Sequence, residues 1–124
     1  VKELLDRLVA AGWVLGVATG KSDRGLAMCL DHHGIRDRFV TLHTADRHPS
    51  KPNPAMLMAC LADCGVGGDR AVIIGDTVFD IGMGVAAGVR AVGVDWGYHA
   101  ADELTAAGAV AVARDAGHLE VLLG

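Results

Sequence analysis

The sequence is poor in aromatic side chains and in cysteine. Its 124 residues include two Trp, two Phe and one Tyr, which argues against a large aromatic-lined binding surface. The three cysteines are an odd number, and Cys60 and Cys64 stand four residues apart in a helical pattern, where thiols usually pack as small apolar groups. This cysteine usage predicts a reducing, cytoplasmic setting.

The sequence also has no excess of basic residues. The net charge is −4, so no basic field is available to hold a nucleic acid backbone. No apolar run approaches the roughly 20 residues that cross a bilayer, and the first twelve residues form a charged amphipathic pattern rather than a signal peptide. We therefore expect neither a nucleic acid nor a membrane as a partner. Nothing in the sequence indicates an oligomeric state.

The sequence is rich in glycine and in aliphatic residues. It has 17 glycines, about twice the average usage, and 52% apolar residues, enough for one buried core. Short apolar runs alternate with helical patterns, which predicts an α/β fold, a three-layer αβα Rossmann-like parallel sheet. The predicted strands are Trp13–Ala18, Arg38–Leu42, Ala71–Gly75, Arg90–Val94 and Val110–Ala113, and the predicted helices are 2–11, 22–33, 53–64, 78–87, 101–107 and 117–123.

Polar residues follow the predicted strands at the edge where such sheets bind ligands. Thr19 and Gly20 follow the first strand, Lys51 lies in the loop after the second, and Asp76 and Asp80 follow the third. Two carboxylates four residues apart repel each other unless a cation lies between them, and Mg²⁺ takes one or two carboxylates plus waters. The pattern predicts an anionic substrate held together with a divalent cation.

Each of these residues also has a purely structural interpretation. Asp76 or Thr77 would cap the following helix, with Asp80 as a favourable first-turn charge. Thr19 would form a turn with the backbone after its strand instead of donating to a phosphate oxygen. Lys51 would be a solvated loop lysine, the usual state of such a residue.

Three segments of the sequence occur in the order and spacing of three motifs of one known family. They are VATGKS with Thr19, KPNP with Lys51, and GDTVFD followed by AAG at 86–88. In these the sequence resembles the haloacid dehalogenase superfamily, and most closely its phosphoglycolate-phosphatase-like branch. The resemblance implies hydrolysis of a small phosphorylated metabolite through an aspartyl-phosphate, with Mg²⁺ as cofactor. It implies that Thr19 binds the transferring phosphoryl group, with Gly20 beside it, and that Lys51 neutralises charge on the phosphate and on the nucleophile. Asp76 would ligate Mg²⁺ directly, and Asp80 would act chiefly through a water on the metal.

The first motif of that superfamily, an aspartate pair D-x-D whose first member is the nucleophile, does not occur in the 124 residues. The family's architecture places its strand centrally, between Trp13–Ala18 and Ala71–Gly75. We therefore predict a single partial core domain over 1–124, without a substrate-selecting cap. Either the chain is the C-terminal part of a longer phosphatase or it is an inactive truncated product. Two unpaired sheet edges would also make it poorly stable alone.

Three other interpretations are open. GVATGKS at 16–22 nearly spells a P-loop for nucleotide binding, but Leu15 stands where that motif needs glycine. Gly82, Gly84 and Gly88 resemble a dinucleotide-binding motif, although they fall within a predicted helix, where they allow close packing. A non-catalytic receiver domain would share the fold class, but Thr19 stands where a receiver has acidic residues.

Overall fold

Strands and helices alternate along the computed structural model, which describes residues 2–124. The strands are β1 (Leu15–Thr19), β2 (Phe39–Thr44), β3 (Val72–Gly75), β4 (Arg90–Val94) and β5 (Ala111–Ala113). The α-helices are α1 (Lys2–Ala10), α2 (Asp23–His33), α3 (Ala55–Cys64), α4 (Val78–Ala87), α5 (Ala101–Ala107) and α6 (Ala116–Leu123). The predicted α/β class is confirmed, and none of these helices is long and apolar enough to cross a membrane.

Every strand pairing is parallel, but the strands form two sheets. One sheet pairs β1 with β2, and the other has the order β3-β4-β5. Within residues 2–124, no strand pairs with the free edge of β1 or of β3.

The chain comprises two compact units. The first unit contains the residues up to Ser50 together with Ala55–Gly65, and the second contains Lys51–Pro54 and Val66–Gly124. The β1–β2 sheet packs against α3 in the first unit, and β3-β4-β5 packs against α4, α5 and α6 in the second. The prediction of one partial domain over 1–124 stays a prediction.

Each unit has its own apolar core. In the first unit the buried residues are Leu4, Leu8, Leu26, Leu30, Met56, Leu57 and Cys60. Cys60 behaves as a packing residue, and burial raises the pKa of its thiol. In the second unit the fully buried side chains include Ile81, Met83, Val92 and Leu104. The three cysteines are free.

Local signals determine the ends of several helices. Ser22 caps α2 by accepting a hydrogen bond from Gly25 N, and Gly34 ends that helix with φ +64°. Thr77 and Asp80 form a capping box at the start of α4, and Gly88 ends it with φ +71°. Gly84 lies inside α4, where a Cβ would come within 2.6 Å of Ile73 Cγ2. Gly84 therefore allows close packing of the helix on the sheet, as predicted, and Gly88 ends the helix.

The end of the second strand lies two residues beyond the predicted one. The sequence pattern placed it at Leu42 and put the next residues in a loop, but β2 continues to Thr44. The reason is its pairing with β1, because Thr19 at the end of β1 lies opposite Thr44. The other strand boundaries differ from prediction by at most two residues, within the usual scatter of such boundaries.

Candidate active site

The GDTVFD segment joins β3 to α4 and carries the two predicted carboxylates. Asp76 follows the last residue of β3, and Asp80 lies in the first turn of α4 with only 6% of its surface exposed. Asp80 Oδ2 accepts hydrogen bonds from Thr77 Oγ1 at 2.9 Å and from Thr77 N at 3.3 Å. A Cβ at Gly75 would overlap the Asp80 side chain, so the strand end must be glycine. The helix-capping role is therefore real, and it fixes the Asp80 carboxylate.

Lys51 is paired with Asp80, 29 residues further along the chain. Its Nζ donates to Asp80 Oδ1 in a short ion pair. The side chains are 18% exposed for Lys51 and 9% for Asp80, so the expectation of a solvated lysine is wrong. The Lys51–Pro52 peptide bond is cis. Two residues predicted from separate motifs are thus in direct contact within the second unit.

Asp76 is held by the segment that follows β4. Its Oδ2 accepts a hydrogen bond from Tyr98 N at 3.1 Å, and its carbonyl oxygen accepts one from His99 N at 3.0 Å. His99 Nδ1 in turn accepts from Val78 N at 3.0 Å. A Cβ at Gly97 would overlap the Asp76 side chain. Sequence reasoning missed these three residues, although a glycine between two aromatic residues after a strand was a visible signal.

Thr19 and Gly20 belong to the first unit. Thr19 ends β1 and is half-buried, while Gly20 is exposed. Thr19 Oγ1 accepts a hydrogen bond from Lys21 N at 3.2 Å, the turn expected from the structural interpretation. Because this bond uses the hydroxyl only as an acceptor, its hydrogen is still available for a phosphate oxygen.

The donor set of the second unit fits Mg²⁺. Both oxygens of Asp80 already accept hydrogen bonds, from Lys51 and from Thr77, whereas Asp76 accepts one through Oδ2. A carboxylate has about four lone-pair sites, so Asp76 has acceptor capacity left for a direct metal bond. Among residues 2–124 no group of three His, Cys, Asp or Glu side chains could hold a metal. Mg²⁺ does not need such a group, because it keeps several waters and is bound by one or two carboxylates with substrate phosphate.

A family model described as haloacid dehalogenase-like hydrolase matches residues 1–94. The chain belongs to this family. The match covers the threonine and lysine segments as well as GDTVFD. Family membership decides against the P-loop, dinucleotide-binding and receiver alternatives.

Relatives within the haloacid dehalogenase-like family include phosphatases. The chain is 35% identical over 122 residues to the phosphoglycolate phosphatase of Rhodospirillum rubrum, covering 98% of this chain and 50% of the relative. It is 36% identical over 108 residues to the pyrophosphatase PpaX of Bacillus velezensis, covering 86% of this chain and 50% of that protein. The chain thus spans about half the length of these relatives.

Solved structures show the same fold. The crystal structure of a predicted phosphoglycolate phosphatase from Haemophilus somnus has a TM-score of 0.91 and 26% identity, covering 100% of this chain and 56% of that one. A haloacid dehalogenase-like protein of unknown function from Agrobacterium tumefaciens has a TM-score of 0.89 and 30% identity, with coverages of 99% and 58%. The fold is therefore the Rossmann-like fold of this family.

Proposed function

We propose that the protein containing this chain is a Mg²⁺-dependent phosphomonoester hydrolase that acts through an aspartyl-phosphate. The observation that carries the proposal is the contact between Lys51 and Asp80 beside Asp76, within the second unit. A nearly buried ammonium held next to carboxylates at the end of a parallel strand suits the binding of an anionic phosphoryl group. The named relatives, a phosphoglycolate phosphatase and a pyrophosphatase, support the same reaction class.

Lys51 provides positive charge for the phosphate. Its ammonium has three N–H donors, and one of them is directed to Asp80 Oδ1. The remaining two can donate to a phosphate oxygen and to the attacking carboxylate. Because Asp80 is itself fixed by the Thr77 capping box, the ammonium is oriented before substrate binds, which lowers the cost of reorganisation.

Asp76 would hold Mg²⁺ directly, and Asp80 would act chiefly through a water on the metal. When bound, Mg²⁺ supplies Lewis-acid polarisation of the phosphoryl oxygens. Thr19 would donate its hydroxyl hydrogen to the phosphoryl group, with the Gly20 backbone beside it. The nucleophilic aspartate must come from outside these residues, because they contain no D-x-D pair. The carboxylate would attack phosphorus as the ester P–O bond breaks, and the departing alkoxide would take a proton from water. A second water would then hydrolyse the aspartyl-phosphate, which releases inorganic phosphate and restores the carboxylate.

The substrate is proposed to be a small phosphorylated metabolite such as phosphoglycolate, and the setting cytoplasmic. The Rhodospirillum relative supports phosphoglycolate, whereas the Bacillus relative is named for pyrophosphate. Both compounds belong in the substrate panel. We also propose that residues 1–124 alone do not turn over phosphate esters, since they offer a cation site and Lys51 but no attacking carboxylate.

The test uses the full-length protein with p-nitrophenyl phosphate, phosphoglycolate and pyrophosphate, with and without Mg²⁺. We expect Mg²⁺-dependent hydrolysis and a fall in kcat of about 10²-fold or more for Asp76→Asn. Asp102→Asn is the matched control, because Asp102 is another acidic residue in the first turn of a helix of the same unit. Metal-independent hydrolysis, or equal rates for the two variants, would contradict the proposal. Hydrolysis by residues 1–124 alone, lost in Asp76→Asn, would overturn the part concerning the nucleophile.

A further inference from the structure

A buried threonine, Thr44, lies opposite Thr19 in the first unit. In the β1–β2 register, Thr19 and Thr44 are partners at the carboxyl ends of the two strands. Thr44 has 0% of its surface exposed, and its Oγ1 donates to Asp23 Oδ1 at 2.8 Å. Asp23 is the first residue of α2. The turn from Thr19 to Asp23 is therefore attached to Thr44 at one end by strand pairing and at the other by a side-chain hydrogen bond.

The loop after β2 closes a ring of hydrogen bonds around this threonine. Thr44 Oγ1 accepts from Asp46 N at 3.3 Å, and Asp46 Oδ2 accepts from Asp23 N at 2.8 Å. The Thr44 hydroxyl thus serves as donor and acceptor at once, which satisfies this buried group. The ring of Asp23, Thr44 and Asp46 is called the Thr44 ring below.

Arg47 supports the ring from outside. Its Nε donates to Asp23 Oδ1 at 3.2 Å, and its Nη2 donates to Leu42 O at 2.8 Å. The guanidinium offsets part of the charge of the two aspartates. Through Leu42 O it also links the ring to the backbone of β2.

Inside the turn, three backbone N–H groups donate hydrogen bonds to side chains of the first unit. Lys21 N donates to Thr19 Oγ1, Gly25 N donates to Ser22 Oγ, and Asp23 N donates to Asp46 Oδ2. The start of α2 is therefore occupied by groups of the chain itself. The Thr19 hydroxyl hydrogen takes no part in these bonds, and the Gly20 that follows it is exposed.

We propose that Thr44 is a positioning residue for phosphate binding: through the Thr44 ring it fixes the Thr19–Asp23 turn, so that the Thr19 hydroxyl is held ready for a phosphoryl oxygen. This inference rests on the proposed function. A displacement of about 1 Å of a binding group can cost 10²-fold in rate. Without the Thr44 hydroxyl, the helix end of the turn keeps only the exposed hydrogen bonds from Asp23 N to Asp46 and from Arg47 to Asp23. Loss of the Thr44 hydroxyl should therefore lower the affinity for phosphate beyond what its effect on stability explains.

Strand β2 contains a matched control. Thr41 is also buried, at 4% exposure, and its Oγ1 donates to an aspartate, Asp63 Oδ2, at 2.6 Å. Thr41 lies opposite Gly16, further back along β1 than Thr19. Replacing either threonine by valine removes one hydroxyl-to-carboxylate hydrogen bond from the same strand. Only the replacement of Thr44 removes a hydrogen bond to the Thr19–Asp23 turn.

The experiment compares Thr44→Val, Thr44→Ser and Thr41→Val in the full-length protein. It measures KM and kcat for p-nitrophenyl phosphate, the inhibition constant of inorganic phosphate, and Tm. We expect both valine variants to lower Tm by similar amounts. Thr44→Val alone should raise KM and the phosphate inhibition constant, by about tenfold, whereas Thr44→Ser keeps the hydroxyl and stays within about twofold of wild type.

An equal change of KM in Thr44→Val and Thr41→Val would overturn the inference while leaving the proposed function intact. A wild-type protein without any phosphatase activity would instead refute the proposed function, and the inference with it. Asp46→Ala covers the case in which Thr44→Val does not fold, because Asp46 is exposed and its loss opens the same ring. Asp46→Ala should raise KM in the same direction, and an unchanged KM would count against the inference.

Discussion

The polar groups of the two units are held in contrasting ways. In the second unit, Lys51 and Asp80 form an ion pair whose side chains are 18% and 9% exposed. In the first unit, Arg47 and Asp23 form one whose side chains are 46% and 52% exposed, around a buried hydroxyl. The first arrangement takes charges out of water, and the second leaves them in it.

This difference determines what each cluster contributes. A buried charge that loses its partner cannot be rehydrated, so breaking such a pair costs about 3–5 kcal/mol. An exposed pair contributes about 0.2–1 kcal/mol, because water and salt screen it. We therefore expect the second unit to be sensitive to changes of charge, and the first unit to depend on its buried hydroxyl.

The largest effect is expected for Lys51→Met. It leaves the Asp80 carboxylate buried without its cation and should lower the free energy of unfolding by about 3 kcal/mol. Lys51→Met/Asp80→Asn should lose less than the sum of the two single variants, because the neutral amide no longer needs a cation. Urea unfolding at pH 7 measures all three. Arg47→Met, the equivalent change in the exposed pair, should cost less than about 1 kcal/mol. Equal decreases in the free energy of unfolding for Lys51→Met and Arg47→Met would show that the Lys51–Asp80 and Arg47–Asp23 pairs do not differ in this way.

The helix and the site residues of the second unit were predicted better than those of the first, because the sequence signals in the second unit are local. Thr77 and Gly88 bound α4, and the GDTVFD segment contains both ends of its capping box, so pattern reasoning found the helix and its carboxylates. The position of Lys51 after the second strand placed it at the ligand-binding edge, and the resemblance supplied its role. Nothing near Lys51 in the sequence reveals that Asp80 is its partner.

What the sequence did not reveal depends on pairing between distant segments. The end of β2 at Thr44 is determined by its register with β1, and the hydrogen bond from Thr44 to Asp23 spans 21 residues. The contact between Tyr98 N and Asp76 spans 22 residues. Helical and strand periodicity describe which face a residue lies on, and they carry no information about which remote backbone amide meets a given carboxylate.

The next effect in size concerns the turn that holds Asp76. Gly97→Ala places a methyl group where the Asp76 side chain lies, so either Asp76 or the segment after β4 must move. Overpacking of this kind costs about 1–3 kcal/mol, and it should also raise the Mg²⁺ concentration needed for half-maximal activity. Thermal unfolding and a Mg²⁺ titration of activity test both parts.

Gly20→Ala is the comparison for stability in the first unit. A Cβ at Gly20 meets nothing within 4 Å, so its Tm should stay close to that of wild type. A Tm for Gly97→Ala as high as that for Gly20→Ala would show that the turn around Asp76 is as open as the one after β1.

The smallest effect is a pH dependence in the first unit. Hydrogen bonds from the Thr41 hydroxyl and then from His43 lower the pKa of Asp63 from its ordinary value of 3.8. Because the folded state favours the charged carboxylate, this stabilisation is fully present above pH 3.8 and is lost as the pH falls through the lower pKa of the folded state. Half of the Asp63 side chain is exposed, so solvent screening keeps the effect small. Asp63→Asn should be less stable than wild type at pH 7, and the difference in urea midpoint should shrink below pH 3.8. A difference that stays constant from pH 7 to pH 3 would mean that the charge of Asp63 contributes nothing to stability.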